Sequence, residues 1–168
     1  MSRRDALRVE RVRNGHGLVA ARHFATGDLI TPLHGTVVDS EIVWRWWKRD
    51  RRRAANCIRF DAERYLDPSG AWGEFANHGC RPNAALHRER GRLVLRALRA
   101  IREGDEVLHD YSTLLGADDV WTMRCNCGMR GCRGTVRRFD RLPAATLRRY
   151  RRLDAIPRFI LDTATTAR

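Results

Sequence analysis

Three cysteines fall within eight residues: Cys125-Asn126-Cys127, four intervening residues, then Cys132, with Gly128 and Gly131 inside. No other feature restricts the fold as much. Three thiolates this close, on a chain that glycines allow to turn tightly, can wrap one Zn²⁺. A structural zinc takes four ligands, so a distant part of the chain must fold back to supply the fourth: Cys80, Cys57 or a histidine. The competing readings are three unconnected thiols, or a catalytic zinc carrying water, for which no water-activating carboxylate lies beside the cluster. Cysteines used for metal rather than disulfides belong in a reducing compartment. Residues 1–17 contain no apolar core of a signal peptide, and no run of 18 apolar residues occurs. The expected location is therefore cytoplasmic, without a membrane span. A length of 168 residues suits one domain with one hydrophobic core.

The formal net charge is +13, and all but one of the 33 basic residues are arginine, the exception being Lys48. Arginine codons are GC-rich, which is one source of the skew; the guanidinium fork also suits phosphate and carboxylate. Residues 45–53 carry six basic groups and one acid, and residues 137–152 carry seven and one. Residues 103–119 run the other way, with six acids and no Lys or Arg. The distribution predicts basic faces, solvated or turned to nucleic acid, and one acidic mouth for a cationic ligand.

Short β-type runs dominate as far as residue 112. Leu7–Val12 alternates apolar and charged residues, residues 18–21 follow a glycine-bounded turn, and residues 29–38 are apolar around a Pro and a Gly. Residues 57–60 and 65–67 read as two short strands, and residues 84–87 and 93–98 flank a hairpin turn at Gly91. A helix is expected over residues 40–53, with Trp44 and Trp47 sharing a buried face with Val43. A second starts near Pro143, with a stripe of Ala144, Leu147, Tyr150 and Leu153, a wet face of Arg148, Arg149, Arg151 and Arg152, and a stop at Pro157.

Three further motifs are weak when taken singly. Gly15-His16-Gly17-Leu18 is a glycine turn after a strand, with no βαβ unit behind it. Asn77-His78-Gly79-Cys80-Arg81-Pro82-Asn83 is a polar turn fixed by Pro82, and residues 104–111 end in Asp110-Tyr111. With the cysteine cluster, in this order, they resemble the SET-domain protein lysine methyltransferases. The matching elements are the GxG loop at residues 15–17, the NHxCxPN signature at residues 77–83 and the E-x-x-x-D-Y element at residues 106–111. The post-SET CxCx₄C follows at residues 125–132, and Gly27-Asp28 with Leu33-His34-Gly35 resembles the early strands. The resemblance spans about residues 7–134.

The resemblance implies a mainly β, SET-type fold of small curved sheets. In that fold a C-terminal pseudoknot brings residues 77–83 beside Tyr111, and a zinc-binding post-SET segment and an appended C-terminal helix follow. The implied division is a SET domain over 1–116, a zinc segment over 117–134 and a basic helical extension over 135–168. It implies one structural Zn²⁺ on Cys80, Cys125, Cys127 and Cys132, leaving Cys57 to the core. It also implies S-adenosylmethionine held by Gly15, His16, Gly17 and Leu18 and by Asn77 and His78. Trp121 is placed to stack on adenine or to fill a core. The implied reaction is methyl transfer to the side-chain amine of a protein lysine, in a histone or other basic protein, with Tyr111 as the catalytic residue. The acids of residues 103–119 would then attract the basic substrate. Leu33, His109 and Glu74 depart from the family pattern, at positions that line the lysine channel, control methyl number and precede the Asn-His pair. The rival readings are a zinc-stapled basic nucleic-acid-binding module without catalysis, and a degenerate SET scaffold acting through a partner. No membrane partner is expected, and the chain would be a monomer or homodimer.

Overall fold

The computed structural model describes residues 6–166. Residues 1–5 and 167–168, which belong to the first and third expected segments, lie outside the described residues. The chain opens with β1 (Leu7–Val12) and β2 (Gly15–Ala20), an antiparallel hairpin in register from Leu7↔Ala20 to Val12↔Gly15. Next come β3 (Leu29–Pro32), β4 (Thr36–Asp39), the helices α1 (Ser40–Arg49) and α2 (Arg51–Asn56), β5 (Ile58–Arg59) and β6 (Arg64–Asp67). The hairpin β7 (Ala84–Glu89) and β8 (Arg92–Ala97) follows, then β9 (Met123–Arg124) and β10 (Thr135–Val136) around the cysteine cluster, and finally α3 (Ala144–Arg152) and α4 (Arg158–Thr166). The strands form small antiparallel sheets, two of two strands and two of three, ordered β3-β8-β7 and β4-β6-β5. The small-sheet architecture expected from the sequence is therefore the one found. Among the described residues no helix is long and apolar enough to cross a membrane.

The β7–β8 hairpin organises the packing. Its two-residue turn places Arg90 at φ +47° and Gly91 at φ +76°, the left-handed pair that matches the strand twist. Along β7, successive side chains point to opposite faces. Ala84 and Leu86 join the main core with Leu18, Phe24, Leu93, Leu95 and Ile101, while Ala85 joins a second core with Phe139, Tyr150, Ile156 and Ile160. The C-terminal helices thus cover the back of a sheet whose front is the main core.

Several expected elements are divided. The apolar run at residues 29–38 is two strands in different sheets. The helix expected over residues 40–53 breaks at Asp50, whose side chain accepts from the Arg53 N–H at 3.1 Å and caps a new helix. Trp44 is 55% exposed, so it does not share the buried face of Val43. The expected C-terminal helix is α3, but Ala144 is exposed rather than part of the buried stripe. Pro157 does not only stop a helix. Its carbonyl accepts from the N–H groups of Ile160 and Leu161 and starts α4, which the sequence reading missed.

Candidate active site and metal centre

The site is built where two loops cross. The backbone N–H of His109 donates to the Asn77 carbonyl at 3.1 Å, and the Gly79 N–H donates to the His109 carbonyl at 3.0 Å. His78 and His109 are therefore bridged as parallel strands. That pairing turns His78's own N–H and C=O to the opposite side. The Asn83 side chain fixes the crossing: its Nδ2 donates to the Glu106 carbonyl and its Oδ1 accepts from the Leu108 N–H, both at 2.8 Å. This is the juxtaposition of residues 77–83 with Tyr111 that the knotted topology requires.

Tyr111 begins a short 3-10 turn, Tyr111–Leu114. Its hydroxyl donates to the Ala76 carbonyl at 3.0 Å, and its ring lies 4.9 Å from that of His109 and 5.4 Å from that of His78. Burial, reinforced by the Glu106 charge, pushes the phenol up to about 12, so it stays protonated. His109 is buried; burial first, then His78, presses its imidazole down to about 4, and its Nδ1 has no hydrogen-bond partner. Tyr111, His109 and Ala76 line one part of a cavity of about 270 Å³ whose walls also include Trp47, Tyr65 and Trp121. Trp121 packs as well against Cys80, Cys125 and Val136.

The glycine loop packs against Asn77 and Glu106, one from each of the crossing segments. Gly15 and His16 are exposed and Gly17 is buried. A Cβ on Gly17 would sit 2.5 Å from Glu106 Oε1 and 2.9 Å from Asn77 Nδ2, so only glycine permits this approach. Asn77 Nδ2 donates to the His16 carbonyl at 3.0 Å and to Glu106 Oε1 at 2.9 Å. Leu18 contributes backbone alone. Its side chain is wholly buried in the core, and its carbonyl accepts from the Val107 N–H at 2.7 Å. The ring of His78 is likewise occupied, since Nδ1 accepts from the Tyr111 N–H at 3.2 Å. The proton then sits on Nε2, which points at Cys80 Sγ 3.4 Å away.

The four sulfurs of Cys80, Cys125, Cys127 and Cys132 lie within 4.8 Å of one another, with Cys80 and Cys125 3.7 Å apart. Four thiolates bound 2.3 Å from a zinc form a tetrahedron with edges of about 3.8 Å, so the cluster fits that ion. The N–H groups of Arg133 and Gly134 point at the sulfurs of Cys80 and Cys132, each at 3.4 Å, the outer contacts that hold thiolates in place. Cys57 stands apart, half-buried on the cavity wall, its thiol pushed up to about 12 chiefly by burial.

The six acids of residues 103–119 do not gather at one mouth, as the sequence suggested, but divide between internal contacts and exposed surface. Asp110 is buried on Arg133 and Tyr150, Asp118 and Asp119 hold the guanidinium of Arg59, and Glu106 holds Asn77. Glu103, Asp105 and Asp118 remain exposed, and Asp119 lines the cavity while it holds Arg59. Leu33 is buried in the main core, behind Gly73 of the cavity wall rather than in the lining itself. The sequence reading missed the Ala76 carbonyl, Arg133 and the role of Tyr150; the first is backbone and carries no residue signal, and the others act across long sequence separations.

A family model described as SET domain matches residues 15–112. The chain is 32% identical over 127 residues to the H3 lysine-4 specific histone-lysine N-methyltransferase of Mycosarcoma maydis, covering 70% of this chain and 9% of that protein. It is 30% identical over 129 residues to the Arabidopsis thaliana histone-lysine N-methyltransferase ASHH3, covering 71% and 34%. With human histone-lysine N-methyltransferase 2B the identity is 29% over 128 residues, covering 71% and 5%. The chain thus spans at most about a third of the length of these relatives. The crossed loops, the tyrosine between them and the cysteine cluster behind them agree with what the matched segment indicates: the chain belongs to the SET-domain family.

Proposed function

We propose that the chain transfers methyl groups from S-adenosylmethionine to the side-chain amine of lysine in a basic protein, a histone being the first substrate to test. The observation that carries this reading is the placement of Tyr111: a protonated hydroxyl, fixed by the Ala76 carbonyl, at a cavity wall beside the crossed loops. S-adenosylmethionine, when bound, supplies an electrophilic methyl on a sulfonium. The donor set suits it. The exposed turn end of β2 at Gly15 and His16, the Asn77 side chain and the backbone of His78 would offer neutral polar groups for an amino-acid end, and Trp121, which lines the Tyr111 cavity, would offer a flat face. With the cofactor bound, the Tyr111 oxygen and the Ala76 carbonyl would be the groups to meet its methyl carbon, whose partial positive charge weak C–H···O contacts would stabilise. The lysine amine must be neutral to attack, and an apolar cavity lowers its pKa from near 10.4. Holding amine and methyl in line supplies much of the rate.

We read residues 1–116 as the SET unit, 117–134 as the zinc segment and 135–168 as the helical extension, in a reducing, cytoplasmic setting. Tritiated methyl transfer to core histones and to a mixed protein extract, with Tyr111→Phe as control, tests the activity. Label on a lysine in the wild-type reaction alone supports it. Cofactor binding without transfer supports the degenerate scaffold. The exposed arginines of α3 favour a second reading, nucleic-acid binding by the same chain; loss of cofactor binding together with retained DNA binding would put that reading first.

A further inference from the structure

The carboxylate of Asp110 has no exposed surface. A buried charge is tolerated only when its lone pairs are met, and here three separate parts of the chain meet them. Oδ1 accepts from Arg133 Nη2 at 2.7 Å and from the Ser112 N–H at 3.0 Å. Oδ2 accepts from the Tyr150 hydroxyl at 2.8 Å. Arg133 follows the last cysteine of the cluster, and Tyr150 comes from α3, 40 residues further along the chain than Asp110. The backbone of Asp110 is pinned too: its carbonyl accepts from the Thr113 N–H at 2.9 Å and the Thr113 hydroxyl at 2.7 Å. Asp110 therefore caps the turn whose first residue is Tyr111.

We propose that Tyr150 is a positioning residue of the Tyr111 site, its hydroxyl locking the Asp110 carboxylate that sets the turn carrying Tyr111. The C-terminal helical segment is then a working part of the site rather than an appendage. This proposal rests on the methyltransferase reading for its effect on turnover. The geometry is selective: the Tyr150 ring is fully buried among Phe139, Ile156 and Ile160, so packing accounts for the ring, while the hydroxyl is spent on one oxygen beside Tyr111. Removing it leaves Oδ2 buried without a partner, and that carboxylate must move to recover one. A small shift of the turn moves the Tyr111 hydroxyl off the reacting carbon, and transfer chemistry is sensitive to displacements of that size.

The test is Tyr150→Phe, which keeps the ring and deletes the hydroxyl. With core histones as substrate we expect kcat to fall about tenfold while KM for S-adenosylmethionine and for histone stays within twofold, a split that a packing role alone would not give. Hydrogen exchange at the Ser112 amide should quicken about tenfold, with exchange at the β7 and β8 amides unchanged. In an Asp110→Asn background the added Tyr150→Phe should change kcat less than twofold, since the two act as one unit. A further tenfold loss there overturns the proposal, as does unchanged exchange at Ser112 whatever the turnover. A wild-type chain that methylates no lysine defeats the methyltransferase reading instead, and the exchange measurement then decides the role of Tyr150 alone.

Discussion

The imidazole of His78 accepts a hydrogen bond from the Tyr111 N–H at 3.2 Å, and its opposite nitrogen faces the sulfur of Cys80. One neutral ring thus joins the cysteine cluster to the turn of the candidate catalytic tyrosine. Burial, helped by the Arg133 charge and opposed by Asp110, holds that imidazole down to about 4, so the link persists as an uncharged donor–acceptor bridge at neutral pH.

Metal removal should therefore reach Tyr111. We expect one Zn²⁺ per chain by elemental analysis. Chelation should speed amide exchange at residues 123–136 and at Tyr111, and weaken S-adenosylmethionine binding at least tenfold. Cys57→Ser should leave zinc content unchanged, whereas Cys80→Ser should lower it. Zinc-free wild-type protein of full stability would rule the site out.

Tyr111→Phe removes one hydroxyl that donates to the Ala76 carbonyl. The stability loss is expected to be about 1 kcal/mol, and cofactor affinity should hold within a few-fold. Methyl transfer should fall by about two orders of magnitude, in kcat rather than KM. Single-turnover kinetics checks this, and turnover equal to wild type removes Tyr111 from the chemistry.

Acid should loosen the crossing. His109 titrates near 4 when folded, against about 6.5 when unfolded. Between those values the unfolded chain binds the extra proton, so this contribution to stability is intact above pH 6.5 and lost as the pH falls toward 4. At about 1.4 kcal/mol per unit, the loss approaches 3 kcal/mol. Urea unfolding between pH 4 and 7.5 measures it. His109→Phe should flatten the slope over that range, and an unchanged slope would place its origin elsewhere.

The α3 face offers a test of the arginine excess. Arg148, Arg149, Arg151 and Arg152 are exposed, while Tyr150 between them is buried. Replacing the four by Gln should weaken duplex DNA binding and flatten its salt dependence, with cofactor affinity unchanged. Equal DNA affinity at equal salt would mark them as solvated surface only.

What the sequence disclosed was whatever has a local signature. Arg90-Gly91 between alternating strands announces the β7–β8 hairpin, and Cys125, Cys127 and Cys132 announce a metal centre short of one ligand. Asp50 was less legible, because an acid inside an amphipathic run reads equally as a wet-face residue or as a new cap. Pro157 was read as a stop, although proline also starts helices. The acids of residues 103–119 misled most. Charge can be counted from sequence, but whether Asp118 and Asp119 face water or Arg59 depends on a partner about 60 residues away. The same distance problem hid the meeting of Asp110 with Tyr150.

The crossed loops also set a clock. Asn77 and Glu106 are 29 residues apart and Cys80 and Cys125 are 45 apart, so the contacts that close the site come from segments that must search for one another. Cys80 sits in one of the crossed loops, so a metal ion held by all four sulfurs would fasten that crossing to the C-terminal cluster. If an ion is held by all four sulfurs, uncrossing the loops would require Cys80 to leave it, and the lifetime of the native state would then follow the rate of ion release.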